Sequence, residues 1–119
     1  MISFEMSEEQ ELIRETLQEF ANEEMRPLGR ECDEAFKIPQ AFLDTVWELG
    51  LTATQIPEQY GGGGEERAPV TNAIILEELG FGDVALALAA TAPNAFANAV
   101  IDYGSEAQKQ ALLPLFCGE

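Results

Sequence analysis

Histidine is missing altogether from these 119 residues. No imidazole is available as a general base, as the activator of a nucleophile or as a metal ligand. Cationic side chains are scarce as well: six Lys and Arg stand against 22 Asp and Glu, for a net charge of -16. The backbone of a nucleic acid demands basic neutralisation, so nucleic acid is excluded as a partner. An anionic membrane surface is disfavoured on the same ground. The cysteines are limited to Cys32 and Cys117, which is too few for a metal-ligand cluster and fits a reducing compartment. The opening MISFEMSEEQ lacks the basic region and apolar run of a secretion signal. A cytoplasmic location is therefore the expectation.

What the chain does have is apolar residues, 46% of the total, enough for a folded core in a single domain. The stretch 84–101, VALALAATAPNAFANAVI, carries no charge, and its only polar side chains are Thr91, Asn94 and Asn98. A surface helix shows one apolar stripe, whereas this segment is apolar or small nearly all round. As one helix it would run about 27 Å, at roughly 1.5 Å per residue. Pro93 removes a backbone donor and predicts a kink near residues 89–93, or two shorter helices meeting there. Such a length can span a bilayer. Against that stand the weak hydrophobicity of alanine, the crowding by Asn94, Asn98, Asp83 and Asp102, and the absence of flanking Lys or Arg anchors. The expected fold is all-α: a bundle of about five helices around this central apolar one.

The other helices follow from local signals. Ser7 and Gln10 form a capping box, with Glu8 and Glu9 in the first turn. Leu12, Ile13, Thr16, Leu17, Phe20, Ala21 and Met25 repeat as an inward stripe. Pro27 is expected to end or bend this helix. Pro39 opens a second helix, which buries Phe42, Leu43, Val46 and Leu49 and stops at Gly50. Residues 51–56 read as a short extended piece. Pro69 opens a third helix with an apolar face through Val70, Ala73, Ile74, Ile75, Leu76 and Leu79, which Gly80 is expected to stop. Asp83 caps the central helix. Residues 102–104 break the chain. Ser105 and Gln108 then start a fifth helix that buries Leu112, Leu113 and Phe116, and Pro114 distorts or ends it.

Two features invite a chemical reading and fail it. Glu11, Glu15, Glu19 and Glu23 recur four apart, a repelling and solvated face without the convergence that paired catalytic carboxylates need. Gly61 to Gly64 resemble a phosphate loop, but Glu65 and Glu66 follow where a nucleotide loop has lysine and a hydroxyl. A structural turn with Tyr60 packed beside it is the expectation. No catalytic, cofactor-binding or metal-ligating residue emerges from the pattern.

In order along the chain come EFANEEMRPLGRECDE, WELGL, IPEQYGG, AIILEELGFGDVALAL and IDYGSEAQKQALLPLFCGE. Taken together, and covering essentially all of residues 1–119, these resemble the N-terminal helical domain of the acyl-CoA dehydrogenase family. The resemblance implies a protein about three times longer, with a middle β domain and a C-terminal helical domain that are both absent here. It implies FAD bound between those two domains, and a reaction that introduces an α,β double bond into an acyl thioester. The present piece would help wall the acyl pocket and would not be catalytic alone. The implied wall is Ala87, Ala90, Thr91, Asn94 and Ala95; the plain alternative is that these are packing residues. Pro93 and Asn94 depart from the smoother helix expected of the family. The implied partners are the missing domains and, in the complete enzyme, acyl-CoA. The isolated chain, its apolar helix incompletely covered, is expected to self-associate. Other readings are a non-catalytic acidic helical binding or assembly module, or the first domain of a related acyl-CoA oxidase or flavin monooxygenase.

Overall fold

A computed structural model describes residues 2–118, so Met1 and Glu119 of the expected domain lie outside the description. All regular structure among the described residues is helical. It comprises α1 (Glu8–Phe20), a π-helical turn (Ala21–Met25), α2 (Arg26–Ala35), α3 (Gln40–Glu48), α4 (Pro69–Gly82), α5 (Val84–Tyr103) and α6 (Glu106–Leu112). Short 3-10 turns cover Ala53–Gln55, Glu58–Tyr60 and Leu113–Phe116. Because α1, the π turn and α2 are contiguous, the rods number five, as expected. They fall into two compact units: Met1–Ile38 with Ala68–Leu88, and Pro39–Arg67 with Ala89–Glu119.

In the first unit Ser7 and Gln10 form the reciprocal capping box, and the Gln10 amide goes on to donate to the Thr71 hydroxyl of α4 at 3.2 Å. Leu17, Ala21 and Met25 are buried along α1 and the π turn, as are Ile74 and Leu79 on α4. Leu12, expected in the inward stripe, is 65% exposed. It lies about 140° round the helix from Leu17, at roughly 100° per residue, which carries it off the buried face. Pro27 does not end the helix. It occupies the first turn of α2, just after the π turn, where a missing N–H is tolerated. Helix α4 likewise passes Gly80 and runs to Gly82. Asp83, in an extended conformation, separates it from α5 and accepts from the Leu86 amide at 2.9 Å as that helix's cap.

The second unit has its own core of Ile56, Tyr60, Ala97 and Leu113, flanked by Val100, Ile101, Phe116 and Cys117. Pro39 is the residue before α3 and not its first turn. The expected extended piece at 51–56 is instead a turn and a 3-10 helix. The glycine stretch folds back on that segment: Gly63 N–H donates to the Ala53 carbonyl and Gly64 N–H to the Ile56 carbonyl, each at 2.9 Å. Gly61 and Gly62 bond the carbonyls of Glu58 and Pro57. With all four amides engaged by the chain itself, the loop is a turn and not an anion cradle. Two of the glycines sit at φ +93° and +68°, Gly61 and Gly64, a region that penalises a Cβ. Tyr60 packs beside the turn, and its hydroxyl donates to the Glu106 carboxylate at 2.9 Å. Burial and that carboxylate together push the phenol above its ordinary pKa.

Helix α5 is unbroken through Pro93, so the two-helix alternative does not hold. By length and composition alone it would suffice to cross a membrane. Leu86, Ala87, Ala90 and Ala97 are buried along it, whereas Leu88 and Tyr103 are 64% and 89% exposed. Asp102 and Tyr103 belong to the helix, and the break falls at Gly104 and Ser105.

A paired substitution tests the turn. A Cβ on Gly62 would lie 2.1 Å from the Ile56 carbonyl oxygen, whereas one on Gly80 meets nothing within 4 Å. Gly62→Ala should therefore cost about 2 kcal/mol or more, and Gly80→Ala in α4 should gain roughly 0.5–1 kcal/mol. Urea unfolding followed by circular dichroism reads both.

Candidate functional site

The second unit contains a cavity of about 370 Å³. Leu43, Val46 and Trp47 of α3 and the turn Gly50–Ala53 form one side, Ala89, Ala90, Ala92 and Pro93 of α5 another, and Phe116 closes it. The wall is made by residue size. Alanines and a proline on α5 leave room where longer side chains would fill it. Gly50, at φ +66°, ends α3 and turns the chain so that residues 51–53 come alongside. Phe116 stacks in tilted contact with Trp47 and Phe96, at ring-centroid distances of 6.5 and 5.8 Å, and the Trp47 indole N–H donates to the Gly118 carbonyl at 3.3 Å.

A polar clip ties the two sides together. The buried Thr52 hydroxyl donates to the side-chain oxygen of Asn94, and the Asn94 amide nitrogen donates to the Leu51 carbonyl at 3.3 Å. Asn94 is thus bonded at both ends within a largely apolar stretch of α5. Below it, Arg67 grips Asp102 with two bonds of 2.8 and 3.0 Å and adds a third to Asn98 at 3.2 Å, which anchors the end of the glycine segment to the same helix.

The five expected wall residues take different places. Ala90 is buried and lines the cavity. Ala87 is buried in the first unit. Thr91 is half-buried, Asn94 forms the clip directly after Pro93, and Ala95 is exposed. Sequence reasoning missed Thr52, Trp47, Gly50 and Phe116 as cavity residues. Only the proximity of WELGL to a glycine stop pointed there.

A family model described as "Acyl-CoA dehydrogenase, N-terminal domain" matches residues 7–119. The chain belongs to the acyl-CoA dehydrogenase family, as its N-terminal domain. It is 34% identical to a probable acyl-CoA dehydrogenase (YngJ) of Bacillus subtilis over 98% of this chain and 31% of that protein. It is 31% identical to a short-chain specific acyl-CoA dehydrogenase of Clostridium acetobutylicum, over 99% of this chain and 31% of the relative. With the mitochondrial short-chain specific enzyme of Sus scrofa it shares 29% identity over 96% of this chain and 27% of the relative. The chain therefore spans less than a third of the length of the curated relatives it matches.

For an acyl-CoA dehydrogenase domain the chemistry on this piece is sparse. Both thiols are held above their ordinary pKa, Cys32 by burial and then by the Glu31 and Asp83 charges, and Cys117 by burial. That disfavours the reactive thiolate. No group of three or more metal-ligating side chains occurs among the described residues. Three of the six cations are engaged within the chain: Arg67 holds Asp102, Arg30 holds Glu34, and Arg26 donates to the Phe81 carbonyl and lies over that ring.

Two outcomes follow from the clip and the anchor. Asn94→Ala strands the Thr52 hydroxyl and should destabilise the chain by about 1–3 kcal/mol in urea unfolding. The Arg67 bonds hold Asp102 below its ordinary carboxylate value of 3.8. That stabilisation is present above pH 3.8 and is lost as pH falls through the lower folded value. Asp102→Asn should therefore lower the melting temperature at neutral pH, and the gap from the parent chain should close toward pH ~2.

Proposed function

We propose that this chain is the N-terminal domain of an FAD-dependent acyl-CoA dehydrogenase that introduces an α,β double bond into an acyl thioester, and that it walls part of the acyl pocket. The observation that carries the reading is an apolar, alanine-walled cavity in a chain matched over residues 7–119 by that family's first domain. Ala90 faces the acyl chain, with Ala89 and Pro93 beside it. Thr91 and Asn94 support the wall, Ala87 belongs to the pocket wall by resemblance to the family, and Ala95, exposed here, meets substrate only once the other domains close over it. The flavin and the base that removes the α proton come from the middle β domain and the C-terminal helical domain. The isolated chain is inactive.

The bare side of α5 supports the same reading. Ala92, Phe96, Ala99 and Tyr103 recur at helical spacing and are all exposed. In the complete enzyme this stripe is a border with the remaining domains. In the isolated chain it pairs two copies. The net charge of -16 opposes pairing and salt screens that repulsion, so dimerisation strengthens from low to moderate salt.

The polypeptide encoded by the full reading frame should purify yellow and reduce an electron-accepting dye with at least one acyl-CoA of short, medium or long chain. The 119-residue chain should do neither. A colourless full polypeptide that reduces no dye with any of them would overturn the proposal. Sedimentation equilibrium of the 119-residue chain at two salt concentrations checks the pairing; a monomer at both would remove it.

A further inference from the structure

Asn94 is out of place in its own helix. Along α5 the residues that line the cavity are Ala89, Ala90, Ala92 and Pro93, all without a polar side chain. The next residue carries a carboxamide, and the fold spends both ends of it on one short turn of chain, Leu51 and Thr52. Leu51 and Thr52 line the cavity from the opposite side. A bond from the carboxamide oxygen and another from its nitrogen fix both separation and rotation, which apolar contact alone does not. No buried side-chain nitrogen or oxygen among the described residues is left without a partner.

We infer that the Thr52–Asn94–Leu51 clip is the specificity-determining device of the cavity: it sets the width between the α5 wall and the turn after α3, and so admits straight apolar chains in preference to branched ones. Asn94 and Thr52 act here as positioning residues. The inference rests on the acyl-pocket reading above, and it concerns which acyl group that pocket takes. A straight chain needs the cross-section of a single methylene column, which alanine and proline walls leave open. A branch needs the walls to part, and the clip resists that at the point where Pro93 and Thr52 face the same space.

The test uses the whole 119-residue chain with two probes of equal carbon count, n-hexanol and branched dimethylbutanol. Binding is followed by NMR shifts at Ala89, Ala90 and Val46. The parent chain should prefer the straight alcohol. Thr52→Val, close in shape but without the hydroxyl, should lower the straight-to-branched affinity ratio at least threefold. Thr52→Ser, which keeps the hydroxyl, should restore it. The double variant Thr52→Val/Asn94→Ala removes hydroxyl and carboxamide together, and so leaves neither stranded. It should behave like Thr52→Val. An unchanged ratio in either folded variant overturns the inference while leaving the acyl-pocket reading intact. Unfolding of both would also overturn it, since the clip would then be a requirement of the fold and not a setter of width. Failure of the parent chain to bind either alcohol at these residues would defeat the acyl-pocket reading itself.

Discussion

The structure depends on how a helix made largely of alanine is covered. Burial stabilises in proportion to apolar area, and an alanine contributes little of it. Helix α5 therefore cannot hold a core by its own side chains; its neighbours must come close and bring the bulk. In the second unit Ala97 is packed by Ile56, Tyr60 and Leu113, of which Ile56 and Leu113 are fully buried. Close approach brings backbone against backbone, and this is why the glycine turn matters. Gly62 lies so near the Ile56 carbonyl that no side chain fits. The turn thus serves packing, and its Gly63 and Gly64 amides hold Ala53 and Ile56 in place.

The same thinness of side chain leaves space where no large neighbour reaches in. Between α3, the turn at 50–53 and the Ala89–Pro93 portion of α5, the result is a cavity. A void in a protein interior forfeits dispersion contacts and is ordinarily destabilising. Its persistence beside a doubly bonded Asn94, with a tilted aromatic group of Trp47, Phe116 and Phe96 along one edge, marks it as a feature held open. Under the proposed reading, this cavity is a place for an acyl tail. The reacting groups would come from outside this piece.

Charge plays a different part. The acidic residues are mostly on the outer faces, and the few cations are used locally. Arg67 binds Asp102 in a bidentate pair and so pins the far end of the glycine segment to α5. Arg26 lies over the exposed Phe81 ring, 4.5 Å from its centre. These pairs are partly exposed and individually weak. Their value lies in direction, since each fixes where a loop or ring lies.

Most of the helix boundaries were legible because their causes are local. Ser7 with Gln10 and Ser105 with Gln108 form capping boxes across three residues, Asp83 caps α5, and Pro69 opens α4. The charge balance, the lack of histidine and the apolar run at 84–101 were equally plain. Of the two outcomes expected at Pro27, an end or a bend, the end does not occur, and Gly80 does not stop α4, which runs on to Gly82. The exposure of Leu12, the partners of the glycine amides and the Thr52–Asn94 bond were decided only by the tertiary structure. Thr52 and Asn94 are 42 residues apart, with nothing in either one's neighbourhood to name the other. Backbone preferences act over a turn or less, whereas a side-chain partner or a cavity exists only once distant segments have been brought together.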